Sequence, residues 1–406
     1  MKNISIAYVA PGWPLNRYPN GIVSYIENLL SGFGGDVDPY VFSNKVAIET
    51  IDKTIVDLTQ FNRNLYKSLS DKVFYRLKML QSEGILYQRN LVNTAEYIAK
   101  GINSLPFELD LIELEESFGV ATKLSNMTCT PIVTRLHGPW FIIGDLSGIR
   151  SENHQIRVRK EGLGINASHG VSSPSQDVLD KVREYYDFSL PNAKVIPNPI
   201  ASVPVDMRWR IELSAKPSIL FIGRFDSIKG ADIAINAFRI VALQNKEVEL
   251  IFAGPDRGMI INGEEYHLME YLDKFIPEIS VKNRIKFLGH CTAQHVAELR
   301  KASSVTMITS RYENFPMSLL EALAAGCPVV GVATGGIKEI ITDEYNGLLA
   351  EPELPESIAE NLIALLSDPN KMEKVSKNAI VDSQKRFSPE TVAKQTLDFY
   401  KSVIAN

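Results

Sequence analysis

The feature that most restricts the fold is an alternation, run through twice, between short apolar strand-like stretches and segments of helical periodicity. In the first half the apolar runs cover 4–10, 40–42, 109–114, 132–136 and 195–196, interleaved with helical patterns that include 22–30 and 176–185. In the second half they cover 218–222, 248–253, 285–288, 305–308 and 329–332, again separated by helices. Strands apolar on both faces and joined through helices imply a parallel sheet covered on both sides. Pro197, Pro199, Pro204 and Pro217 interrupt the pattern between the halves and read as a linker. At 406 residues the chain exceeds one ordinary core. The expected fold class is therefore α/β, with two doubly wound Rossmann-like domains facing across a cleft. They are predicted over 1–200 and 218–388, with the linker over 201–217. The last segment, 389–406, carries Val392, Leu397, Tyr400, Val403 and Ile404 at helical spacing.

Composition excludes several classes of function. Lys plus Arg number 43 against 48 for Asp plus Glu, a net charge of −5 that gives no electrostatic footprint for nucleic acid. Cys129, Cys291 and Cys327 are odd in number and widely spaced, which fits a reducing compartment and no metal site. The amino terminus reads as a strand rather than a signal peptide, and no run approaches the ~18 apolar residues of a membrane span. A cytoplasmic enzyme is the expectation. One stretch, 61–80, is ambiguous: Phe61, Leu65, Leu69, Val73 and Leu77 recur every four residues among Arg63, Lys67, Lys72, Arg76 and Lys78. Such a stripe either faces a core or lies peripherally on the inner, anionic face of a membrane.

Ligands of open α/β sheets bind beyond the carboxyl ends of the strands, so the loops there carry the chemistry. After the run 305–308 comes Glu313-Asn314-Phe315-Pro316-Met317-Ser318-Leu319-Leu320-Glu321, two acids separated by seven residues. Pro316 suits the start of a helix, which places Glu313 in the loop before it and Glu321 inside it. The N–H groups at such a helix tip, with the positive end of its dipole, seat a phosphate. The buried-type strand at Val329 follows, then Gly335-Gly336 opening another helix. After the run 218–222 comes Gly223-Arg224-Phe225-Asp226-Ser227-Ile228-Lys229-Gly230, which brings a planar guanidinium and a mobile ammonium into one loop. Fixed cations there would favour the charge that develops on a departing diphosphate.

This order resembles the nucleotide-sugar half of the retaining GT-B glycosyltransferases, specifically family four, whose members carry E-x7-E, a P-V-V strand, a G-G-x-x-E turn and G-R-x4-K-G. The resemblance implies transfer of a sugar from a nucleotide-linked donor to an acceptor hydroxyl, with retention and without an essential metal or cofactor. Uridine diphosphate is the expected nucleotide, and the acceptor is unassigned. It implies that Glu313 contacts the donor sugar, that Glu321 binds the ribose, and that Arg224 and Lys229 hold the diphosphate. It also implies that backbone N–H groups near Phe315 touch sugar and phosphate, with Asn314, Pro316, Met317 and Ser318 in the same donor-binding stretch. Gly254, Pro255 and Leu288 fall where relatives line the nucleotide. In the first half, Gly21 answers to a glycine that contacts the diphosphate; the family usually has a glycine pair there, whereas this chain has Asn20-Gly21, and Asn tolerates left-handed backbone. Arg135-Leu136-His137-Gly138 resembles the element that faces the donor sugar, with His137 not a general base. The first domain is the implied acceptor side, onto which the helix at 389–406 folds back. Glu115–Gly119 and Pro139-Trp140-Phe141 are candidates to line the acceptor.

Asp36-Val37-Asp38 has the form of a metal-holding triplet but sits in turn-like sequence and is read as turn chemistry. A nucleotide-sugar epimerase with the same fold, or a non-catalytic sugar-nucleotide binder, are the competing readings. A Rossmann dehydrogenase would need a G-x-G-x-x-G after the first strand, which is absent.

Overall fold

The computed structural model of the chain describes residues 3–47, 49, 53–62, 83–146, 148, 151–213 and 216–405. They form two compact units, one of Met1–Pro199 with Pro389–Asn406, the other of Ile200–Ser388. Apart from its first two residues, the basic stretch 61–80 falls outside the described residues.

The first unit is built on a seven-stranded, all-parallel sheet of β1 (Ile4–Ala10), β2 (Val37–Ser43), β3 (Ile55–Asp57), β4 (Leu111–Glu115), β5 (Ile132–Arg135), β6 (Gly170–Ser173) and β7 (Ala193–Val195). The order is β3-β2-β1-β4-β5-β6-β7, so the winding reverses between β1 and β4. Successive strand residues feed opposite faces, as the pleat requires. Ile6, Tyr8, Leu111 and Val133 join a cluster with the helices Gly21–Gly32 and Pro389–Ile404, whereas Ala7, Ile112 and Ile132 join one with the helix Glu83–Asn103.

Neither β3 nor β6 is among the predicted strands. β3 has three residues, too few for a periodic signal. β6 reads Gly-Val-Ser-Ser, small and half polar, yet all four residues are buried. Its glycine explains the composition: a Cβ on Gly170 would stand 2.7 Å from Val403 Cγ2, so the missing side chain lets the C-terminal helix lie on the sheet. At the other end of that helix, a Cβ on Gly32 would meet the Pro389 carbonyl oxygen at 2.1 Å.

Inside this packing lies a polar knot. Tyr400 of the C-terminal helix donates its hydroxyl to Glu113 Oε2 at 2.5 Å, and Tyr25 donates to the same oxygen at 3.3 Å; all three are buried. Burial holds the Glu113 carboxyl above the usual carboxylate range. A buried acceptor that loses a donor bears the desolvation of its own oxygen. Tyr400→Phe is therefore expected to destabilise this unit by about 1–3 kcal/mol, read as a lowered midpoint in urea denaturation followed through the first unit. An unchanged midpoint would show that the knot does not fasten the helix.

The second unit has a six-stranded parallel sheet of β8 (Ser218–Ile222), β9 (Glu249–Ala253), β12 (Ile285–Gly289), β13 (Val305–Ile308), β14 (Val329–Val332) and β15 (Leu348–Ala350), in the order β12-β9-β8-β13-β14-β15. A short antiparallel hairpin, β10 (Met259–Ile261) and β11 (Glu264–Tyr266), is inserted after β9. Neither the hairpin nor β15 is among the predicted strands, because both consist of three-residue segments. The proline-rich stretch read as a linker packs onto this unit: Trp209 is buried in its core and donates its indole N–H to the Ser303 carbonyl at 2.8 Å.

Candidate active site

In the second unit the loops at the carboxyl ends of β8 and β13 are stitched together. Gly230 follows Lys229 with a φ of 61°, and a Cβ there would lie 2.0 Å from the Thr309 carbonyl oxygen. Only glycine combines that left-handed backbone with so close an approach. Thr309 Oγ1 donates to the carbonyls of Lys229 and Gly230 at 3.1 and 2.8 Å, which fixes where the lysine leaves the backbone. Asp226 organises the loop between. One of its oxygens accepts the Lys229 backbone N–H at 2.8 Å, and the other accepts Arg224 Nε at 2.5 Å. The Arg224 guanidinium is therefore clamped along one edge, while its side chain stays 43% exposed.

The Lys229 ammonium meets Glu313 Oε1 at 2.5 Å, and Ser310 donates its hydroxyl to the same oxygen at 2.7 Å. Glu313 is in turn placed from behind. Gly336 donates its N–H to the Glu313 carbonyl at 2.9 Å, and Thr334 bonds the Ser310 carbonyl at 3.1 Å. Cβ atoms on Gly335 and Gly336 would stand 2.2 and 2.0 Å from the carbonyl oxygens of Glu313 and Asn314. The glycine pair is thus the floor on which the acid loop rests.

Asn314, Phe315 and Pro316 are buried, and Phe315 packs edge-on to Phe387. Pro316 caps the helix Met317–Ala325, and the first N–H groups turned into the helix are those of Leu319 and Leu320, both to the Pro316 carbonyl. Those of Met317 and Ser318 precede the ladder and form the helix tip. Glu321, one turn inside the helix, does not join the Lys229–Glu313 pair. It accepts from Arg300 Nη2 at 2.7 Å; the arginine is buried, and the carboxylate is 41% exposed. Gly254 bonds the Gly289 carbonyl at 2.8 Å, Pro255 accepts from the Phe225 N–H at 2.9 Å, and Leu288 is 40% exposed.

The remaining predicted site residues belong to the first unit. Gly21 begins its helix with open space where a Cβ would be, so nothing in this unit's own packing calls for glycine. Asn20 departs from the expected left-handed form. Its backbone is extended, with φ −158°, and its side chain accepts the Ile22 N–H at 2.8 Å as a helix cap. His137 stacks edge-on to Tyr25 with ring centroids 5.1 Å apart. Burial, with the Arg135 guanidinium beside it, holds its imidazole well below the usual histidine range, so it is neutral near physiological pH. Its loop is pinned by Glu116, whose two oxygens accept the backbone N–H groups of His137 and Gly138 at 2.9 and 2.6 Å. Burial, then Glu161 and Glu115, push the Glu116 carboxyl up to about 8. Asp38 of the rejected triplet accepts from the Asn3 amide at 3.0 Å.

Sequence reasoning did not single out Asp226, Ser310, Thr334 or Arg300 as organisers of the site. The signal for Ser310 was its position two residues beyond β13; Arg300 lies 21 residues before its partner, with no local motif. Asn198, near the end of the first unit, accepts from the buried Arg135 at 2.8 Å, a long-range pairing no spacing reveals.

Comparison with known proteins places this arrangement. Residues 207–382 match the family described as glycosyl transferases group 1. The chain is 29% identical to an uncharacterized glycosyltransferase of Methanocaldococcus jannaschii over 70% of this chain and 72% of that one. It is 27% identical to a D-inositol 3-phosphate glycosyltransferase of Xylanimonas cellulosilytica, over 61% of this chain and 60% of that protein. Among solved structures, sucrose-phosphate synthase from Thermosynechococcus elongatus superposes with a TM-score of 0.72 at 19% identity, covering 99% of this chain and all of that one. Anabaena HepE, solved with UDP and glucose, superposes with a TM-score of 0.66 at 18% identity, covering 98% and 100%. Two parallel α/β sheets of this order define the GT-B fold. The chain is similar to the group 1 glycosyltransferases, and the family match lies within the second unit. Among the described residues, no helix is long and apolar enough to cross a membrane.

Proposed function

We propose that this chain is a retaining, metal-independent hexosyltransferase that uses a uridine diphosphate sugar and glycosylates an acceptor hydroxyl in the cytoplasm. In this reading the first unit takes the acceptor and the second takes the donor. Lys229 and Arg224 hold the diphosphate, and the helix tip at Met317 and Ser318 adds backbone donors. Glu313 addresses the sugar, Glu321 the ribose, and Gly254, Pro255 and Leu288 the rest of the nucleotide. The family resemblance assigns Gly21 to the diphosphate and His137 to the sugar.

The observation that carries the reading is the Lys229–Glu313 pair, at 2.5 Å beside a helix tip. Without ligand the ammonium neutralises the carboxylate. A diphosphate would draw Lys229 toward itself and leave Glu313 to accept from sugar hydroxyls. The cation then stabilises charge that grows as the sugar–phosphate bond breaks, which is what lowers a barrier rather than tightening ground-state binding. Retention follows if the acceptor enters on the face from which the diphosphate leaves, its proton passing to a phosphate oxygen.

The test is the anomeric configuration of the product, by proton NMR of the newly formed linkage. A product with the donor's configuration is expected; inversion would overturn the same-face route. Isomerised donor appearing without acceptor would instead favour an epimerase.

A further inference from the structure

A cavity of about 370 Å³ opens at the carboxyl edge of the first unit's sheet, where the winding reverses between β1 and β4. Its floor is the end of β1, at Val9 and Ala10, and the end of β4, at Leu114 and Glu115. The helix Glu83–Asn103 roofs it with Leu91, Thr94 and Ile98. At the switch point of an open α/β sheet, a mostly apolar hollow with a few converging polar groups is where a small molecule binds.

A second feature marks the same spot. Phe118, which lines the cavity, has a φ of 65°, a left-handed conformation that is a true outlier for a bulky side chain, and its ring is exposed. Such strain persists where surrounding contacts over-determine it. Here Glu161 Oε1 accepts the Phe118 N–H at 3.4 Å, Arg157 lies over the Phe118 ring at 4.5 Å, and a Cβ on Gly119 would meet the Lys160 carbonyl at 1.9 Å. The turn is held against the helix Glu152–Asn166 so that an aromatic side chain stands at the cavity wall. Glu116, two residues before Phe118, is the one that pins the His137 loop, so the wall and that loop share one support.

We infer that this cavity takes the apolar portion of the acceptor, so that the acceptor is amphipathic: an apolar chain or ring system bearing the hydroxyl that receives the sugar. The polar residues Glu115, Ser117 and Asn44 sit among the lining where the hydroxyl-bearing end would be met. Burial raises the Glu115 carboxyl above its usual range, which equips it to share a proton with a hydroxyl group. The volume sets the size of the apolar part. At ~30 Å³ per water-sized group, roughly a dozen heavy atoms fill it, so an acyl or prenyl chain of lipid length would project beyond it. The assignment to an acceptor rests on the function proposed above; the binding itself does not.

The test uses the full chain and the n-alkyl β-D-glucosides from methyl to octyl, each below its micelle concentration, with affinity read by thermal shift and calorimetry. UDP is titrated in parallel to test the donor reading separately. Affinity is expected to rise roughly threefold to fourfold per added methylene, and the longer glucosides are expected to serve as acceptors. Thr94→Trp, which fills the cavity from the roof, is expected to abolish the dependence on chain length while leaving the UDP response intact. Thr94→Leu, a smaller intrusion, is expected to shorten the preferred chain and keeps the test open if the tryptophan variant misfolds. Affinity that does not change with alkyl length in the wild type, or a length dependence that survives both substitutions, would overturn the proposal whatever UDP does. Length-dependent binding without a UDP response would uphold the cavity and count against the donor reading.

Discussion

Lys229→Ala is expected to lower turnover by about two to three orders of magnitude with the fold intact. The ammonium is placed by three independent constraints. Asp226 holds the backbone N–H, Thr309 bonds the Lys229 carbonyl, and the left-handed glycine at 230 turns the chain away immediately afterwards. A cation fixed in this way needs little reorganisation as charge develops on the leaving diphosphate, so its removal acts on the transition state more than on the ground state. The fold should tolerate the loss. Glu313 keeps the Ser310 hydroxyl at 2.7 Å and is not sealed from water. The expected cost in stability is therefore small, roughly 1 kcal/mol. Steady-state kinetics with saturating donor, beside a thermal melt, separate the two effects. Unchanged turnover would remove Lys229 from the chemistry.

Gly336→Ala is expected to be nearly as damaging by a different route. The backbone at Gly336 has a φ of −73°, which alanine adopts without strain, so the effect is purely one of space. The added Cβ would stand 2.0 Å from the Asn314 carbonyl oxygen and 3.3 Å from Phe315 Cδ2. Neither neighbour can retreat easily, since Asn314 and Phe315 are buried and the Gly336 N–H is tied to the Glu313 carbonyl. The acid loop must shift, carrying Glu313 off Lys229 and moving the helix tip. Overpacking of this kind costs about 1–3 kcal/mol, and misplacing a positioned group by an ångström costs on the order of a hundredfold in rate. Donor affinity and turnover are expected to fall together, with a lowered melting temperature. Wild-type kinetics in this variant would mean that the glycine pair does not set the position of the acid loop.

The chain discloses the second unit's site better than the first's for a physical reason. Glu313, Glu321, Arg224 and Lys229 lie in two short contiguous motifs at strand ends, and of these the structure brings Lys229 and Glu313 together. The structure then adds partners that sequence distance hides. Arg300 holds Glu321, and Ser310 with Lys229 holds Glu313. Gly335 and Gly336 were legible as a turn, but their role as the floor beneath Glu313 and Asn314 depends on distances of about 2 Å across the fold. In the first unit the organising contacts are long-range from the start: Tyr400 with Glu113, Arg135 with Asn198, Glu116 with the His137 loop. β6 escaped notice because its Gly-Val-Ser-Ser sequence is shaped by the helix that packs on it, a constraint arising more than two hundred residues away. Asn20 looked like a tolerated replacement for a flexible glycine and proves to be an extended helix cap.

The most direct measurement is a crystal structure of the chain bound to whichever nucleoside diphosphate, UDP or GDP, gives the larger thermal shift. Diphosphate oxygens within hydrogen-bonding distance of Lys229 Nζ and the Arg224 guanidinium, with Glu321 on the ribose hydroxyls and Lys229 drawn off Glu313, are the expected result. A nucleotide bound with its phosphates away from Lys229 and Arg224, and the Lys229–Glu313 pair undisturbed, would contradict it.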